Sequence, residues 1–126
     1  MIIGNGVDLL EIDRISELLQ RRPEFLKRFF TEREVAFFES KHFKHETIAA
    51  GFAAKEAIAK AMGTGVRGFD LKDVEVLRDS LGKPLVVLHG RAFDVAHSKG
   101  IHHIELSLSH SKTQAIAFAI AIGSNK

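Results

Sequence analysis

Phe52-Ala-Ala-Lys-Glu-Ala-Ile-Ala-Lys-Ala-Met-Gly-Thr-Gly65 is the stretch from which the rest of the chain can be read. Between Ile48 and Met62 there is no proline and one glycine, Gly51, while alanine fills positions 49, 50, 53, 54, 57, 59 and 61. Alanine is the best helix former, so this composition predicts a helix over 48–62. Three charges interrupt it, Lys55, Glu56 and Lys60. Apolar atoms around nearly the whole circumference predict a helix buried on most sides.

Glu56 and Lys60, four residues apart, share one face, with Phe52 one turn earlier. On a solvated stripe such a pair would add about 0.2–0.5 kcal/mol. A carboxylate on an almost wholly apolar helix, however, loses hydration and needs a cation or donors to offset the loss. A metal ion is the second reading, and the N-terminus offers it a second ligand.

That ligand is Asp8. Residues 2–10 read as a strand, with Ile3, Val7 and Leu9 on one face and Gly4, Gly6 and Asp8 on the other. Two glycines on one face admit another backbone closely, and an alanine-clad helix is a natural occupant. Such packing carries Asp8 toward Glu56. The competing local reading makes Asp8 a turn or N-cap residue for the helix that follows.

The 126 residues fit one domain, 1–126, able to bury roughly two-thirds of the surface of the unfolded chain. Hydrophobic residues at 45% and charged residues at 27% exclude a disordered or fibrous chain. With no cysteine, disulfides, thiolate zinc sites and cysteine nucleophiles are excluded together, and a reducing compartment, the cytoplasm, is expected. Neither a leader nor a membrane span is read from the apolar runs. A net charge of +2 is too small to make nucleic acid the default partner. The cations are concentrated, with Arg21, Arg22, Lys27 and Arg28 against Glu24 between residues 20 and 28.

Residues 11–22 keep helical spacing through Ile12, Ile15, Leu18 and Leu19, leaving Arg14, Glu17 and Arg21 on a polar, partly basic face. Pro23 ends that helix, and a short segment with Phe25, Leu26, Phe29 and Phe30 follows. Thr31-Glu-Arg-Glu34 matches a capping box opening a further helix. Ser40 to Glu46 reads as a connector, Thr47 as the cap of the long helix, and Gly63 as its left-handed terminator within a Gly63–Gly68 loop. Hairpins are predicted for 74–77 with 85–88, and for 101–109 with 114–122, with a brief helix over 90–97. The whole reads as one α+β domain.

Two turns are rich in anion-binding groups. Ser109-His-Ser-Lys-Thr113 gathers three hydroxyls, an imidazole and an ammonium, as a hydrophilic hairpin tip or a phosphate cradle. Gly82-Lys-Pro84 is a basic turn or a second grip. The histidines at 42, 45, 89, 97, 102 and 103 lack metal-ligand spacing and read as structural or exposed. Two carboxylates, a nearby lysine and two basic turns together point to magnesium and a phosphorylated substrate.

In order and spacing, Gly4-Asn-Gly-Val-Asp-Leu-Leu-Glu-Ile-Asp-Arg-Ile15, Arg28-Phe-Phe-Thr-Glu-Arg-Glu34, the Phe52–Lys60 run with Gly63-Thr-Gly65, Gly82-Lys-Pro84 and Ser107-Leu-Ser-His110 resemble the small bacterial class of 4'-phosphopantetheinyl transferases, the holo-[acyl-carrier-protein] synthases. The resemblance covers essentially the full chain. It implies antiparallel strands packed on one long Ala-rich helix, and a homotrimer with sites between subunits. It implies transfer of phosphopantetheine from coenzyme A to a serine of apo acyl carrier protein in fatty acid biosynthesis, with adenosine 3',5'-bisphosphate released. By resemblance Asp8 and Glu56 hold Mg2+, or Mn2+, Glu56 serves as base, and Lys60 neutralises the leaving phosphate. Lys60, Gly63, Gly65, Gly82, Lys83, Pro84, Ser109 and His110 would bind coenzyme A, and Arg14, Arg21, Phe25 and Arg28 the acidic carrier. Relatives usually carry arginine where this chain has Gly51, so one phosphate contact is missing. The alternative function is a non-catalytic basic module for nucleic acid or an acidic protein, which leaves Asp8 and Glu56 without a task.

Overall fold

The chain is described here from a computed structural model over residues 1–65 and 67–124; Val66, inside the expected Gly63–Gly68 loop, Asn125 and Lys126 lie outside the described residues. Helix α4 (His45–Ala61) begins three residues before the expected start at Ile48, with Lys44 as N-cap and no side-chain cap. Thr47, expected as the cap, lies in the first turn instead, its N–H donating to the Lys44 carbonyl at 3.1 Å. The earlier start follows from the reversal after α3 (Glu32–Ser40), where His42 and Phe43 adopt φ of 59° and 53°. The Phe43 N–H donates to the Phe38 carbonyl at 2.8 Å, holding that turn and delivering the chain directly into α4.

Strands β1 (Ile2–Glu11), β4 (Ile101–His110) and β5 (Gln114–Gly123) form an antiparallel sheet in the order β1-β5-β4. Gly4, Gly6 and Asp8 of β1 stand opposite Ala121, Ala119 and Ala117 of β5. Ala115, Ala117, Ala119 and Ala121 are completely buried, so the inner face of the sheet is methyl groups and bare backbone. Helix α4 lies on that face. A Cβ at Gly4 would stand 2.2 Å from the Ala61 carbonyl oxygen, and one at Gly6 2.2 Å from that of Ala57. The predicted role of the two glycines holds, and in α4 only His45 and Lys60 are exposed.

Period-2 alternation sends the bulky residues outward. Val7, Leu9 and Phe118 are 49%, 57% and 42% exposed, and Ile3 and Ile116 join them, so the apolar outer face of the sheet has no covering element among the described residues.

Helix α1 (Ile12–Arg21) follows β1 with Glu11 at its N-cap position, so Asp8 stays in the strand and caps nothing. Helix α2 (Phe25–Phe29) supplies an aromatic cluster in which the ring centroid of Phe25 lies 5.2 Å from that of Phe29 and 5.5 Å from that of Phe52. The predicted capping box opens α3, with Thr31 accepting from the Glu34 N–H and Glu34 accepting from the Thr31 N–H. Strands β2 (Val74–Arg78) and β3 (Pro84–Leu88) pair as the expected hairpin, and α5 (Gly90–Ser98) precedes β4.

Glu34 does more than cap. Its carboxylate accepts from the buried Lys55 ammonium at 2.9 Å and from the Val76 N–H at 2.9 Å, tying α3, α4 and β2 together. Lys55, fully buried, also donates to the carbonyls of Leu71 and Val74. Burial lowers its pKa, and the Glu34 charge opposes that shift.

A methyl group introduced at Gly6 must displace α4, and overpacking of this kind costs about 1–3 kcal/mol. Gly6→Ala should therefore lower unfolding free energy by about 1–3 kcal/mol in a urea titration, whereas Ala at the open Gly68 should cost only its backbone strain. Equal stability of Gly6→Ala and the parent chain would contradict the close packing described here.

Candidate functional site

The face of β1 that presents Gly4 and Gly6 presents Asp8 next, two residues on. Along α4, Ala61 lies over Gly4 and the Ala57–Lys60 turn over Gly6, so the step toward the helix N-terminus carries Glu56 to the level of Asp8. The two carboxylates line one cavity of about 600 Å³. Lys60 donates to the Val7 carbonyl at 2.9 Å and to Asp8 Oδ1 at 3.4 Å, joining the same corner. The sequence-based expectation that Asp8, Glu56 and Lys60 meet is thus met in space.

Burial raises the pKa of Glu56, the negative charge of Asp8 raises it further, and Lys60 and Arg14 act in the opposite sense. Two carboxylates lining one space, Asp8 raising the proton affinity of Glu56, form a candidate locus for a cation. Among the described residues no group of three or more histidine, cysteine or acidic residues forms a metal cluster.

The rim of the cavity is basic and its wall apolar. Arg14, Arg22 and Arg28 surround it, with Leu18, Phe29 and Phe52 on the wall. Of the four residues expected to receive a carrier, Arg14, Phe25 and Arg28 line it, and Arg21 does not. Phe25 is only 4% exposed, held in the aromatic cluster, so it supports the wall from behind. Arg22 was not expected there; it lies just past the end of α1, where periodicity no longer assigns a face.

The residues expected to hold coenzyme A do not all converge. Ser109 and His110, at the end of β4, line a second cavity with Thr47 and Ala50 of α4. Gly63, with φ of 82°, ends α4 as predicted, and thirteen residues of helical rise place it roughly 20 Å from Ala50. Lys99 Nζ stands beside Gly63, 3.2 Å from where a Cβ would be, an unpredicted cation at that loop. Gly82, with φ of 86°, and Lys83 form the β2–β3 turn, whose N–H groups at Leu81 and Lys83 donate to the Asp79 carboxylate. Lys83 Nζ lies 3.4 Å from Glu105. The Ser111 hydroxyl accepts from the N–H of Gln114 at 3.1 Å, closing the hairpin. Within one copy, then, the carboxylates sit on the β1 edge and the Ser109–His110 turn on the β4 edge, two strand spacings or roughly 10 Å across the sheet.

The profile of the 4'-phosphopantetheinyl transferase superfamily matches residues 4–120. The holo-[acyl-carrier-protein] synthase of Clostridium perfringens is 46% identical over 127 residues, covering 98% of this chain and 96% of its own length. Among solved structures, the acyl carrier protein synthase of Plasmodium yoelii with ADP bound superposes with a TM-score of 0.90 at 41% identity, covering 99% of this chain and 98% of that one. The Helicobacter pylori holo-[acyl-carrier-protein] synthase in complex with coenzyme A gives 0.83 at 28% identity, covering 94% and 99%.

Because the folded state holds the Glu56 proton more tightly than the unfolded chain, its ionisation lowers stability as pH rises through and above the usual carboxylate value of 4.5. Glu56→Gln should accordingly melt higher than the parent chain at pH 7, with the gain shrinking as pH falls toward 4.5 and gone below it. A melting temperature unchanged or lowered at pH 7 would show that the carboxylate is not under this strain.

Proposed function

This chain belongs to the 4'-phosphopantetheinyl transferase superfamily, among its holo-[acyl-carrier-protein] synthases, and from that membership we propose how its residues divide the work. The enzyme is a transferase that moves the 4'-phosphopantetheine group of coenzyme A to a serine of apo acyl carrier protein, giving the holo carrier and adenosine 3',5'-bisphosphate. The observation that carries the assignment of residues is the convergence of Asp8, Glu56 and Lys60 at one end of a cavity rimmed by arginines.

Asp8 and Glu56 are the metal ligands in this reading. Their all-oxygen donor set suits Mg2+, with Mn2+ as a substitute, since such ions take few carboxylates and fill their remaining positions with phosphate oxygens and water. When bound, the ion would supply charge neutralisation at the diphosphate of coenzyme A. Glu56, directly or through a water molecule, accepts the proton of the carrier serine, a role suited to a carboxylate whose proton affinity is raised. The serine oxygen bonds to the phosphorus on the pantetheine side as the bond to the bridging oxygen breaks. Lys60 neutralises the phosphate that departs with adenosine. Gly63, Gly65, Gly82, Lys83, Pro84, Ser109 and His110 hold the rest of the cofactor.

The carrier docks on the basic face of α1 and α2. Arg14 and Arg28 line the cavity that holds the carboxylates, and Arg21 lies on α1 outside that lining. Opposite charge speeds encounter and sets orientation more than it adds affinity. A basic module with no catalysis finds no support among the relatives, and it still gives the carboxylate pair no task.

We further read the assembly as a homotrimer. The exposed apolar sheet face of Ile3, Val7, Leu9, Ile116 and Phe118 is the kind of surface that copies of one chain cover. The two half-sites on opposite sheet edges would then complete one another between neighbours. The absence of cysteine agrees with a reaction in the cytoplasm, as a step of fatty acid biosynthesis.

With coenzyme A, magnesium and apo carrier, mass spectrometry should show the carrier gain one phosphopantetheine; Asp8→Asn and Glu56→Gln should each reduce turnover at least about a hundredfold with the fold intact, and Arg14→Glu with Arg21→Glu should raise KM for carrier far more than KM for coenzyme A. Magnesium-dependent turnover surviving in either carboxylate variant would remove the metal assignment. Light scattering should give a particle three times the 14.0 kDa chain, which Phe118→Glu reduces to single copies with loss of activity; a fully active monomer would overturn the shared site.

A further inference from the structure

The second cavity holds an arginine with one buried nitrogen that meets no hydrogen-bond acceptor among the described residues. About 200 Å³ in volume, it is bounded by Phe37 and Lys41 of α3, Glu46, Thr47 and Ala50 of α4, Arg78 at the end of β2, and Leu108, Ser109 and His110 of β4. Arg78 stacks on the Phe37 ring with its guanidinium carbon 5.0 Å from the centroid, and Lys41 Nζ approaches the same ring at 5.8 Å. Arg78 Nη1 is buried and meets no hydrogen-bond acceptor among the described residues. A buried, unspent charged donor is costly, and the usual remedy is an anion.

The groups around it describe which anion. Two cations face one carboxylate, Glu46, so the cavity keeps a positive excess. The Ser109 hydroxyl lines the cavity as a donor, and with His110 Nδ1 3.3 Å from the Ser111 carbonyl oxygen, the other ring nitrogen donates to a ligand when the ring is an imidazolium. A planar fork, an ammonium, a hydroxyl and an imidazole around one small space match a tetrahedral dianion with several acceptor oxygens. Position 51 supplies no part of this: a Cβ there would lie 3.1 Å from Phe38 Cζ, so the helix face that would bear a cation is closed by the Phe38 ring.

We propose that Arg78 is the phosphate-reading cation of the nucleotide half-site, receiving with Lys41, Ser109 and His110 the phosphate monoester on the ribose of coenzyme A. This rests on the coenzyme A reading above and adds to it a residue outside the set already assigned. The monoester is the one phosphate of coenzyme A remote from the bond that breaks, and Arg78 lies toward the opposite sheet edge from Asp8 and Glu56. Arg78 therefore governs affinity and discrimination between nucleotides without touching the reacting atoms.

The test pairs two cofactors with two substitutions. Arg78→Met keeps an apolar side chain on the Phe37 ring and removes the fork; Arg78→Lys keeps the charge. With coenzyme A, Arg78→Met should raise KM about tenfold or more at nearly constant kcat, and Arg78→Lys should recover part of that loss. With 3'-dephospho-coenzyme A, all three proteins should share one already high KM. Calorimetric titration with adenosine 3',5'-bisphosphate and with adenosine 5'-phosphate supplies a readout without turnover: wild type should prefer the bisphosphate and Arg78→Met should not. An equal rise in KM for both cofactors would mark Arg78 as merely structural, and an unchanged KM for coenzyme A would likewise overturn the proposal. A wild type that fails to transfer from coenzyme A and fails to prefer the bisphosphate would remove the premise itself, a result distinct from a wild type that does both and is indifferent to Arg78.

Discussion

Helix α4 can lie against the sheet only because nothing larger than a methyl group stands between them. Gly4 and Gly6 of β1 admit the carbonyl oxygens of Ala61 and Ala57 into the space a side chain would need, and four buried alanines of β5 continue the same smooth floor. Lowering the helix onto the backbone brings Asp8 and Glu56 to one cavity although both side chains are short. With a layer of leucines between helix and sheet, at the usual helix-packing distance of about 8–10 Å, the two carboxylates would face separate spaces. The corner shared by Asp8 and Glu56 is thus a consequence of small-on-small packing, and the geometry of the candidate site and the core are one feature.

The rotation of α4 needs a second constraint, and Lys55 provides it. Adjacent residues on a helix point about 100° apart, so fixing Lys55 fixes Glu56. Lys55 is held by Glu34 and by two carbonyls at the entrance to β2, an arrangement that breaking one partner would leave as a buried unpaired charge. Beside it, Glu75 accepts from Thr31, Arg33 and His89; burial alone would raise its pKa, but those bonds and the Arg33 charge hold it at about 2. These buried polar groups make the α3–β2–α4 junction a rigid frame, against which the exposed Lys60 and the arginines of the rim remain free to meet ligands.

The charges are divided in space by function. Negative groups converge at the β1 edge under a rim of arginines, while Arg78 and Lys41 gather toward the β4 edge around a separate cavity. A substrate carrying a diphosphate at one place and a phosphate monoester at another is matched by such a division.

Much of this was legible in the residues themselves. The alanine run declared a buried helix, the paired glycines declared a close neighbour, and the capping box, the hairpins and Gly63 followed from local backbone chemistry that acts over a few residues. The start of α4 was misread because a two-residue left-handed turn at His42 and Phe43 carries no sequence signal in non-glycine residues. Other facts are long-range and had no local signature: that Glu34 reaches Lys55, that Arg78 Nη1 is buried with no acceptor among the described residues, and that Phe25 belongs to the wall. Most telling is β5, where alanine alternates with Ile116, Phe118, Ile120 and Ile122. The sequence by itself determined that one face would be small and the other bulky; only the tertiary structure decided that the small face turns inward, because an alanine-clad helix lying on glycine leaves no room there for anything larger.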